Sequence, residues 1–293
     1  MEFLKKYTNH PLLLLLSALV LFCAVVWMLV FAATPRGVLT VAVLDVGQGD
    51  ALYIESPTGR QLLIDGGQGN AVLRQLPKVM PRFDRSIDLV LETHPDSDHI
   101  GGFADVLKRY HVDAFVSPGI EKDTDTARML VRTVSDLHIP HYTAQRGMVL
   151  DMGGGVVLEV LYPDRDVSKL ASQFANNGCV VLRLTYGAIA MLFACDAPQE
   201  VEERLVLLEG SNLASDVLKV AHHGSKYSST EAFIAAVRPA FAAISVGAGN
   251  TYGHPTEQTL SRLAAYGAAV LRTDQLGTFV FKSDGKTLWH TTP

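Results

Sequence analysis

The chain has 293 residues, of which 48% are hydrophobic and 19% are charged, and its formal net charge at pH 7 is -5. A chain of this length buries a large core, and its mild acidity argues against the broad basic surface that captures nucleic acid without sequence preference. Three cysteines are too few for a disulfide framework, so the fold must depend on its hydrophobic core.

The first predicted element is an apolar segment, residues 11–33, which contains no charged side chain. Its length suits a helix that crosses a bilayer, and it is longer than the apolar region of a secretory signal. Cleavage near Phe31-Ala32-Ala33 is the alternative. We expect a retained transmembrane helix.

Charges beside this segment predict its orientation. Lys5 and Lys6 precede it, whereas only Arg36 follows closely. Because positive charge tends to stay inside, residues 1–10 are predicted to be a cytoplasmic N-terminus. Residues 34–293 are then expected to form one domain outside the cytoplasm, held at the cell membrane by a single span.

Two cysteines lie outside the apolar segment, Cys179 and Cys195, while Cys23 lies within it. The two can pair if their strands are neighbours. We expect instead that both fill the core as small hydrophobic side chains.

The remaining chain alternates β-rich runs with amphipathic helical patterns in two successive halves. The first half predicts strands 39–46, 51–54, 61–64, 87–91 and 112–116 and helices 70–78, 99–110 and 124–137. The second half predicts strands 156–161, 180–184, 189–193, 217–220 and 241–245 and helices 198–208, 230–237 and 256–266. Two strand-then-helix halves indicate an α/β (α+β) fold, with two sheets face to face and helices outside.

Two imidazoles and two carboxylates occupy six consecutive positions directly after strand 87–91: His94, Asp96, Asp98 and His99. A strand that ends there delivers these side chains to a loop at its carboxyl end. Nitrogen and oxygen donors without cysteine suit zinc, manganese or iron bound for catalysis. One such residue alone would more often be a solvated or helix-capping side chain, but the four together predict a metal site.

Further polar residues follow other predicted strands, where ligands gather in layered α/β folds. Asp65-Gly66-Gly67 is either an ordinary turn or carries a carboxylate that orients a ligand histidine. Asp196 either caps the next helix or bridges two ions. Of the adjacent His222 and His223, one can bind metal while the other contacts substrate or transfers a proton.

These motifs together resemble the metallo-β-lactamase superfamily in their order and spacing. Within it, the chain is similar to the C-terminal domain of ComEC-type competence proteins from about Leu39 to Phe281. The segments that carry this similarity are Leu44–Ala51, Asn176-Asn177, Leu218–Ser225, Ser245–Gly247 and Tyr252–Pro255. The resemblance implies a four-layer αββα sandwich with a two-metal site in the cleft between the upper edges of the sheets.

The resemblance also implies two divalent ions, Zn²⁺ or Mn²⁺, and roles for individual residues. The ligands assigned on this basis are His94, Asp96, Asp98, His99, Asp196 and His222, with His222 and His223 interchangeable, and Asp65 supports them. The catalytic residues are Asp98, His223 and Lys226, and the substrate-binding residues are Asn177, Ser225 and His254.

The sequence departs from its relatives at several positions. The superfamily usually has histidine where this chain has Asp96, although ComEC-like proteins share the aspartate, and a carboxylate makes the site as suitable for manganese as for zinc. ComEC-like relatives usually have Ser at the position of Cys179 and Gly at that of Cys195. They also carry a many-helix channel domain, so this chain is not expected to form a DNA channel by itself.

The leading hypothesis is a membrane-anchored, metal-dependent phosphodiesterase. Its substrate would be DNA, cleaved in a ComEC-like manner, or another phosphodiester, and its partner a DNA-uptake channel protein. A second hypothesis keeps the site but assigns it choline-phosphate diesters, lactones or thioesters, which the acidic net charge mildly favours over long polyanions. A third makes the chain a metal-free adaptor of a DNA-uptake assembly, which the intact run of ligands argues against.

Overall fold

The computed structural model describes residues 11–33 and 37–293, which belong to two separate compact units. The first contains helix α1, Pro11–Ala33, whose most apolar window, Pro11–Met28, has a mean hydropathy of 2.6. This helix is long and apolar enough to cross a membrane and coincides with the predicted span. The predicted cytoplasmic segment and its flanking charges, Lys5, Lys6 and Arg36, lie outside the described residues.

Residues 37–293 form two β-sheets, of eight and seven strands. The strands of the first sheet are β1 (Leu39–Val43), β2 (Leu52–Glu55), β3 (Gln61–Ile64), β4 (Ser86–Leu91), β5 (His111–Ser117), β6 (His141–Thr143), β14 (Phe279–Ser283) and β15 (Leu288–Thr291). Those of the second are β7 (Val149–Asp151), β8 (Val156–Tyr162), β9 (Val181–Tyr186), β10 (Ile189–Phe193), β11 (Val217–Lys219), β12 (Phe241–Ile244) and β13 (Ala269–Arg272).

In the chain, helices connect the strands and separate consecutive parallel strands. They are α2 (Ala71–Val79), α3 (Ser97–Ile100), α4 (Phe103–Arg109), α5 (Asp125–Asp136), α6 (Gln199–Glu209), α7 (Glu231–Val237), α8 (Glu257–Ala265) and α9 (Thr273–Leu276), with short 3-10 helices at Ser172–Gly178, Gly210–Leu213 and Ala221–Gly224. Thr124, Thr230 and Thr256 cap α5, α7 and α8 by accepting a backbone N–H with the side chain, which fixes where each helix begins.

Each sheet begins as an antiparallel meander and continues as parallel strands. In the first sheet the order is β15-β14-β1-β2-β3-β4-β5-β6, and β3 to β6 are parallel. In the second the order is β13-β12-β11-β10-β9-β8-β7, and β10 to β13 are parallel. Parallel strands need crossover connections, and helices supply them here. The two strand-then-helix halves read from the sequence are therefore present.

Three apolar layers hold this arrangement together. Side chains from the inner faces of both sheets, such as Ile54 and Leu62 of the first and Leu182 and Met191 of the second, share one buried cluster. A second cluster lies between the first sheet and its helices, and a third between the second sheet and its helices. The αββα sandwich predicted from the sequence is confirmed by this layering.

The predicted helix 99–110 is wrong as a single element. It is divided into α3 and α4 at Gly101-Gly102, because this pair packs against the turn that follows β3. A Cβ on Gly102 would lie 2.4 Å from the Gly66 carbonyl oxygen, and the Gly102 N–H donates to the Gly67 carbonyl. The close backbone contact seats α3, which carries Asp98 and His99, directly beside Asp65.

Strands β6, β7, β13, β14 and β15 were not predicted. β6 and β7 are three-residue, largely exposed edge strands, so neither carries an alternating apolar pattern. β14 and β1 are far apart in the sequence, and only the tertiary fold brings these two strands together.

The expectation that Cys179 and Cys195 fill the core as free thiols is wrong, because the two form a disulfide. Cys179 lies just before β9 and Cys195 just after β10, and these strands are antiparallel neighbours with Leu182 opposite Phe193. The pairing brings the two side chains together in the buried outer layer of the second sheet. The bridge also joins the segment after Asn177 to the turn that carries Asp196.

Candidate metal centre

The polar clusters of the sequence meet where the parallel strands of both sheets end. In the first sheet, Ile64 of β3 is opposite Leu91 of β4, so the segments that follow leave the sheet side by side. The ends of β10, β11 and β12 are aligned in the same way. Among the described residues, four overlapping groups of side chains have ligand atoms within 4.8 Å of one another, and their members are His94, His99, His223, Asp50, Asp65, Asp98 and Asp196.

The Asp65 carboxylate organises the contribution of the first sheet. Its Oδ1 accepts a hydrogen bond from the Thr93 N–H (2.8 Å), and its Oδ2 accepts one from the Thr93 hydroxyl (2.7 Å). The same Oδ2 lies 2.8 Å from His99 Nδ1, and Thr93 Oγ1 lies 3.0 Å from His94 Nδ1. Because the Thr93 hydroxyl proton points to Asp65, His94 donates its Nδ1 proton to Thr93. In both imidazoles Nδ1 is engaged by these contacts, so Nε2 is the ring atom that faces another partner.

His223 is held in the same manner by the second sheet. Its Nδ1 lies 2.9 Å from the Ser245 carbonyl oxygen, which can only accept, so Nδ1 carries the proton. Its Nε2 lies 3.5 Å from Asp98 Oδ2 and 3.7 Å from Asp196 Oδ2. Fixing one ring nitrogen so that the other faces the centre is the usual way in which proteins orient a metal-binding histidine.

Several polar atoms at the centre are buried and yet form no hydrogen bond with the described residues. They are His94 Nε2, His99 Nε2, His223 Nε2 and Asp196 Oδ1. His99 Nε2 and Asp196 Oδ1 are 3.5 Å apart, a distance at which both can share a cation. Buried polar atoms normally have a bonding partner, and bound divalent ions would be the partner of each of these nitrogen and oxygen atoms. The residues present therefore fit a metal centre with nitrogen and oxygen ligands.

Carboxylates dominate the electrostatics of this centre. Burial disfavours charge on the imidazoles, but Asp196 and Asp65 raise the pKa of His99 well above its usual range, and Asp196 and Asp50 raise the pKa of His223 to about 9. Burial also disfavours ionised Asp196, yet His223 and His99 hold the pKa of this carboxyl well below its usual range. The negative potential that favours a proton on these rings equally favours a divalent cation.

The loops that carry these residues adopt left-handed backbone conformations. Asp65 has a φ of 59°, and Cys195, His222 and His223 have φ values of 42°, 50° and 52°. Each such residue costs roughly 1–3 kcal/mol, so the surrounding contacts must impose the conformation. One of those contacts joins two loops, because the His222 N–H donates to the Cys195 carbonyl at 3.0 Å.

His222 and His254 lie on the exposed side of the cluster. His222 Nε2 is 3.8 Å from Asp196 Oδ2, its side chain is 32% exposed, and its ring centroid is 5.7 Å from that of His254. Burial and the two neighbouring histidines lower the pKa of His254. The structure thus turns His223 into the buried cluster and His222 toward solvent, whereas the sequence assigned His222 first as the ligand.

Asp96 divides its carboxylate between two neighbours. Its Oδ1 lies 2.6 Å from Lys122 Nζ, and its Oδ2 lies 3.9 Å from His94 Nε2. Asp96 is therefore at the border of the cluster and carries an ion pair that the sequence did not indicate.

The other assigned residues lie in the surrounding loops. The Asn177 carbonyl accepts a hydrogen bond from the Tyr162 hydroxyl at 2.7 Å. Ser225 is buried, and its carbonyl accepts a hydrogen bond from the Thr259 hydroxyl at 3.0 Å. Lys226 is exposed, with its Nζ 5.0 Å from the centroid of the Tyr227 ring. Their assignments to substrate and catalysis stay predictions.

Two buried charges beside the centre were missed from the sequence. Lys219 Nζ lies 2.7 Å from Asp50 Oδ2, and Asp50 Oδ1 lies 3.5 Å from His223 Nδ1. Burial opposes ionisation of Asp50, but Lys219 and His223 keep its pKa low. Both residues stand in segments that carry the family resemblance. The signal available was a lysine among apolar residues at the end of a strand, because such a cation must have a buried partner.

This layered fold and this cluster of histidines and carboxylates define a metallo-hydrolase. Residues 44–247 match the metallo-β-lactamase superfamily, and the chain belongs to that superfamily. It is 32% identical over 262 residues to ComE operon protein 3 of Bacillus subtilis, covering 83% of this chain and 33% of that protein. It is 34% identical over 250 residues to competence protein ComA of Neisseria gonorrhoeae, covering 85% of this chain and 33% of that protein. The resemblance to ComEC-type competence proteins is confirmed, although the chain spans about a third of their length.

Solved structures share the fold at low sequence identity. The metallo-beta-lactamase fold protein YhfI of Bacillus subtilis has a TM-score of 0.55 and 12% identity, and the match covers 86% of this chain and all (100%) of that one. Igni18, a metallo hydrolase of Ignicoccus hospitalis, has a TM-score of 0.53 and 17% identity, with 83% of this chain and 98% of that one covered. At such identities these matches establish the architecture alone.

We predict that Lys219→Met lowers the free energy of unfolding by about 3–5 kcal/mol, because it leaves the Asp50 carboxylate buried without its cation. The double variant Asp50→Asn/Lys219→Met should recover most of this loss, since no buried charge remains unpaired. Urea unfolding of the full chain in detergent, followed by circular dichroism, measures both. Lys108→Met, at an exposed lysine, is the control. Equal midpoints for Lys108→Met and Lys219→Met would contradict the prediction.

Proposed function

We propose that this protein is a metal-dependent phosphodiesterase that cleaves DNA, anchored in the cell membrane with its catalytic domain outside the cytoplasm. The observation that carries the proposal is the set of buried, unpartnered imidazole nitrogens and carboxylate oxygen that face one another at the ends of both sheets. An adaptor without metal would leave these atoms permanently desolvated and unpaired, which is costly.

Two divalent ions, Zn²⁺ or Mn²⁺, would be held by residues of both sheets. His94, His99, Asp98 and His223 would supply ligand atoms, and Asp196, which lies 3.5 Å from His99 and 3.7 Å from His223, would contribute to the same set. We assign Asp96 to the same set at its border. Ions bound there would polarise the phosphoryl group and lower the pKa of an attacking water.

The chain's own residues would position the substrate and move protons. His222 and His254 are adjacent and half-buried on the open side of the centre, and the pKa of His254 is lowered, so a neutral imidazole is present at physiological pH. Such a ring can accept a proton from water or donate one to the leaving oxygen after protonation. Lys226, exposed four residues after His222, is assigned to contact a phosphate of the substrate.

DNA is the favoured substrate because the chain is similar to competence proteins over most of its length. The acidic net charge means that DNA must be held locally at the site. By the same similarity, we propose a DNA-uptake channel protein as partner. Small phosphodiesters, including choline-phosphate diesters, are the alternative substrate class, since the same centre would suit them.

We predict that the full chain, loaded with Mn²⁺ or Zn²⁺, hydrolyses bis(p-nitrophenyl) phosphate and DNA oligonucleotides, and that Asp98→Ala abolishes both activities. Asp98 contacts His223 at the centre and lies in the four-residue helix α3 with its side chain 31% exposed, so its loss should lower metal content with little effect on the fold. Elemental analysis and product gels measure the two results. Asp105→Ala, at an exposed carboxylate in α4, is the control.

Full metal content and normal turnover in Asp98→Ala would contradict its assignment as a ligand. Cleavage of the small diester without cleavage of DNA would reject DNA as the substrate and leave the small-diester alternative.

The adjacent histidines should respond differently to alanine. His223→Ala should lower metal content and activity together, because its Nε2 faces Asp98 and Asp196. His222→Ala should keep metal and lose about 10²- to 10⁴-fold in rate, as expected for a proton-transfer residue. Elemental analysis with steady-state kinetics separates the two cases. The opposite pattern would make His222 the ligand.

The orientation follows from the charges that flank α1. An alkaline phosphatase fused after Pro293 should be active, and the full-length chain should stay in the membrane after carbonate extraction, because α1 is long enough to remain as an anchor. Activity of a cytoplasmic reporter at the same position would overturn the orientation. Release of a shortened chain would show that α1 is a cleaved signal.

A further inference from the structure

A cavity of about 920 Å³ lies in the layer outside the first sheet, beside the metal-binding loop. Its walls come from the carboxyl ends of β4 and β5, from α5 and from residues 168–172. This volume is in the range of pockets that hold small organic ligands. None of the residue roles assigned above uses this space.

Two segments of the chain that line the cavity also carry residues assigned to the metal centre or to its substrate. Glu92 and Pro95, which line it, flank the His94 ligand loop. Ser172, which also lines it, begins the 3-10 helix that carries Asn177. A ligand in the cavity would therefore lie beside the loop that carries His94.

The interior of the cavity combines apolar surface with one unpaired carboxyl group. Phe115, Leu130 and Val134 supply buried apolar walls. Glu92 is only 7% exposed, and its carboxyl forms no hydrogen bond with any described residue. Because this carboxyl lines the cavity, a ligand there can pair with it by donating a hydrogen bond. The carboxyl offers an acceptor oxygen whether or not it carries a proton.

The outer part of the cavity has available positive charge. Two exposed acidic residues line it, Glu121 and Asp123. Four basic residues also line it: Lys122, Arg128, Arg132 and Lys169. Lys122 pairs with Asp96, and Arg128 pairs with Asp123 and Asp125. Within residues 37–293, Arg132 and Lys169 form no hydrogen bond or ion pair. Lys169 interacts electrostatically with Asp166, and both cations are exposed, so they can bind an anionic group.

We propose that this cavity binds a nucleoside phosphate, with the base against the apolar walls, an exocyclic amino group donating to Glu92, and the phosphate at Arg132 and Lys169. A purely apolar ligand would leave Glu92 unpaired, and inorganic phosphate would leave the interior empty. A carboxylate that accepts from a base amino group is an established mode of base recognition. The inference rests on the proposed phosphodiesterase function, for which it supplies a site that holds a nucleotide near the cleavage point.

The test is isothermal titration of the full chain in detergent with dCMP, N4,N4-dimethyl-dCMP and deoxyribose 5-phosphate, with and without EDTA. EDTA removes metal, so binding that survives it does not depend on bound ions. dCMP should bind in EDTA, and the dimethyl analogue, whose exocyclic nitrogen carries no hydrogen, should bind at least about 10-fold more weakly, because it cannot donate to Glu92. Deoxyribose 5-phosphate should bind more weakly still, because it lacks the base.

Variants in the cavity wall locate the binding. Arg132→Glu, on the exposed face of α5, should weaken dCMP binding at least about 10-fold by placing an acid against the phosphate. Ala127→Phe, which fills the cavity, should abolish it. Arg109→Glu, an equal charge change at an exposed arginine outside the cavity, should leave binding unchanged. Should Ala127→Phe fail to fold, the comparison of Arg132→Glu with Arg109→Glu decides alone.

The source of the nucleotide is distinguished with an oligonucleotide substrate. If the cavity holds a nucleotide of the substrate strand, Arg132→Glu raises the KM for oligonucleotides and dCMP inhibits competitively. If it holds a free nucleotide, dCMP binds equally well beside a bound oligonucleotide. Either result supports the site.

Absence of dCMP binding in EDTA, equal affinity for dCMP and its dimethyl analogue, or equal effects of Arg132→Glu and Arg109→Glu would overturn the proposal. Failure of the proposed function is a separate result, because it shows as an inert metal-loaded protein toward bis(p-nitrophenyl) phosphate whatever the titration gives.

Discussion

The arrangement of the site depends on one buried carboxylate, Asp65. It accepts hydrogen bonds from the Thr93 backbone and hydroxyl and contacts His99 Nδ1, and through Thr93 it also fixes His94. These contacts exist because β3 and β4 are parallel neighbours, so the residues after each strand emerge together. The glycine pair that breaks the helix between α3 and α4 then lets His99 approach Asp65 closely. The orientation of His94 and His99 and the conformation of the loops that carry them therefore depend on the same contacts of Asp65.

A second constraint on the site is the energetic cost of burying charged side chains. Asp50, Asp196 and Lys219 are all buried, and each would be unfavourable alone. Lys219 neutralises Asp50, while the imidazoles surround Asp196. Negative potential remains, and the unpartnered Nε2 atoms face it. A centre of this kind is stable when cations complete it. The disulfide between Cys179 and Cys195 fastens the turn before Asp196 to the strand that begins after Asn177, so a covalent bond also holds the turn that carries Asp196.

The proposed functions of the different parts of the chain are compatible with one another. A helix suited to a bilayer precedes a hydrolase fold of the metallo-β-lactamase superfamily. A disulfide is typical of proteins outside the cytoplasm, in agreement with the proposed orientation. The cavity beside the loop that carries His94 is lined by the Glu92 carboxyl and by Arg132 and Lys169, which fits the nucleotide proposed to bind there. In the competence relatives the similar region is about a third of a longer chain.

The sequence by itself determined the apolar helix, the two strand-then-helix halves and the cluster from His94 to His99, because composition and spacing are local properties. It also placed Asp65, Asp196 and the two adjacent histidines after strands, where a layered sheet gathers them. Only the tertiary structure decided which of His222 and His223 turns inward, since that depends on a left-handed turn and on the Ser245 carbonyl of another strand. The Asp50–Lys219 pair, the Cys179–Cys195 bridge and the Glu92 cavity likewise join residues far apart in the chain. Which residues meet in these features depends on strand order and on packing between layers, and a local sequence pattern cannot predict either.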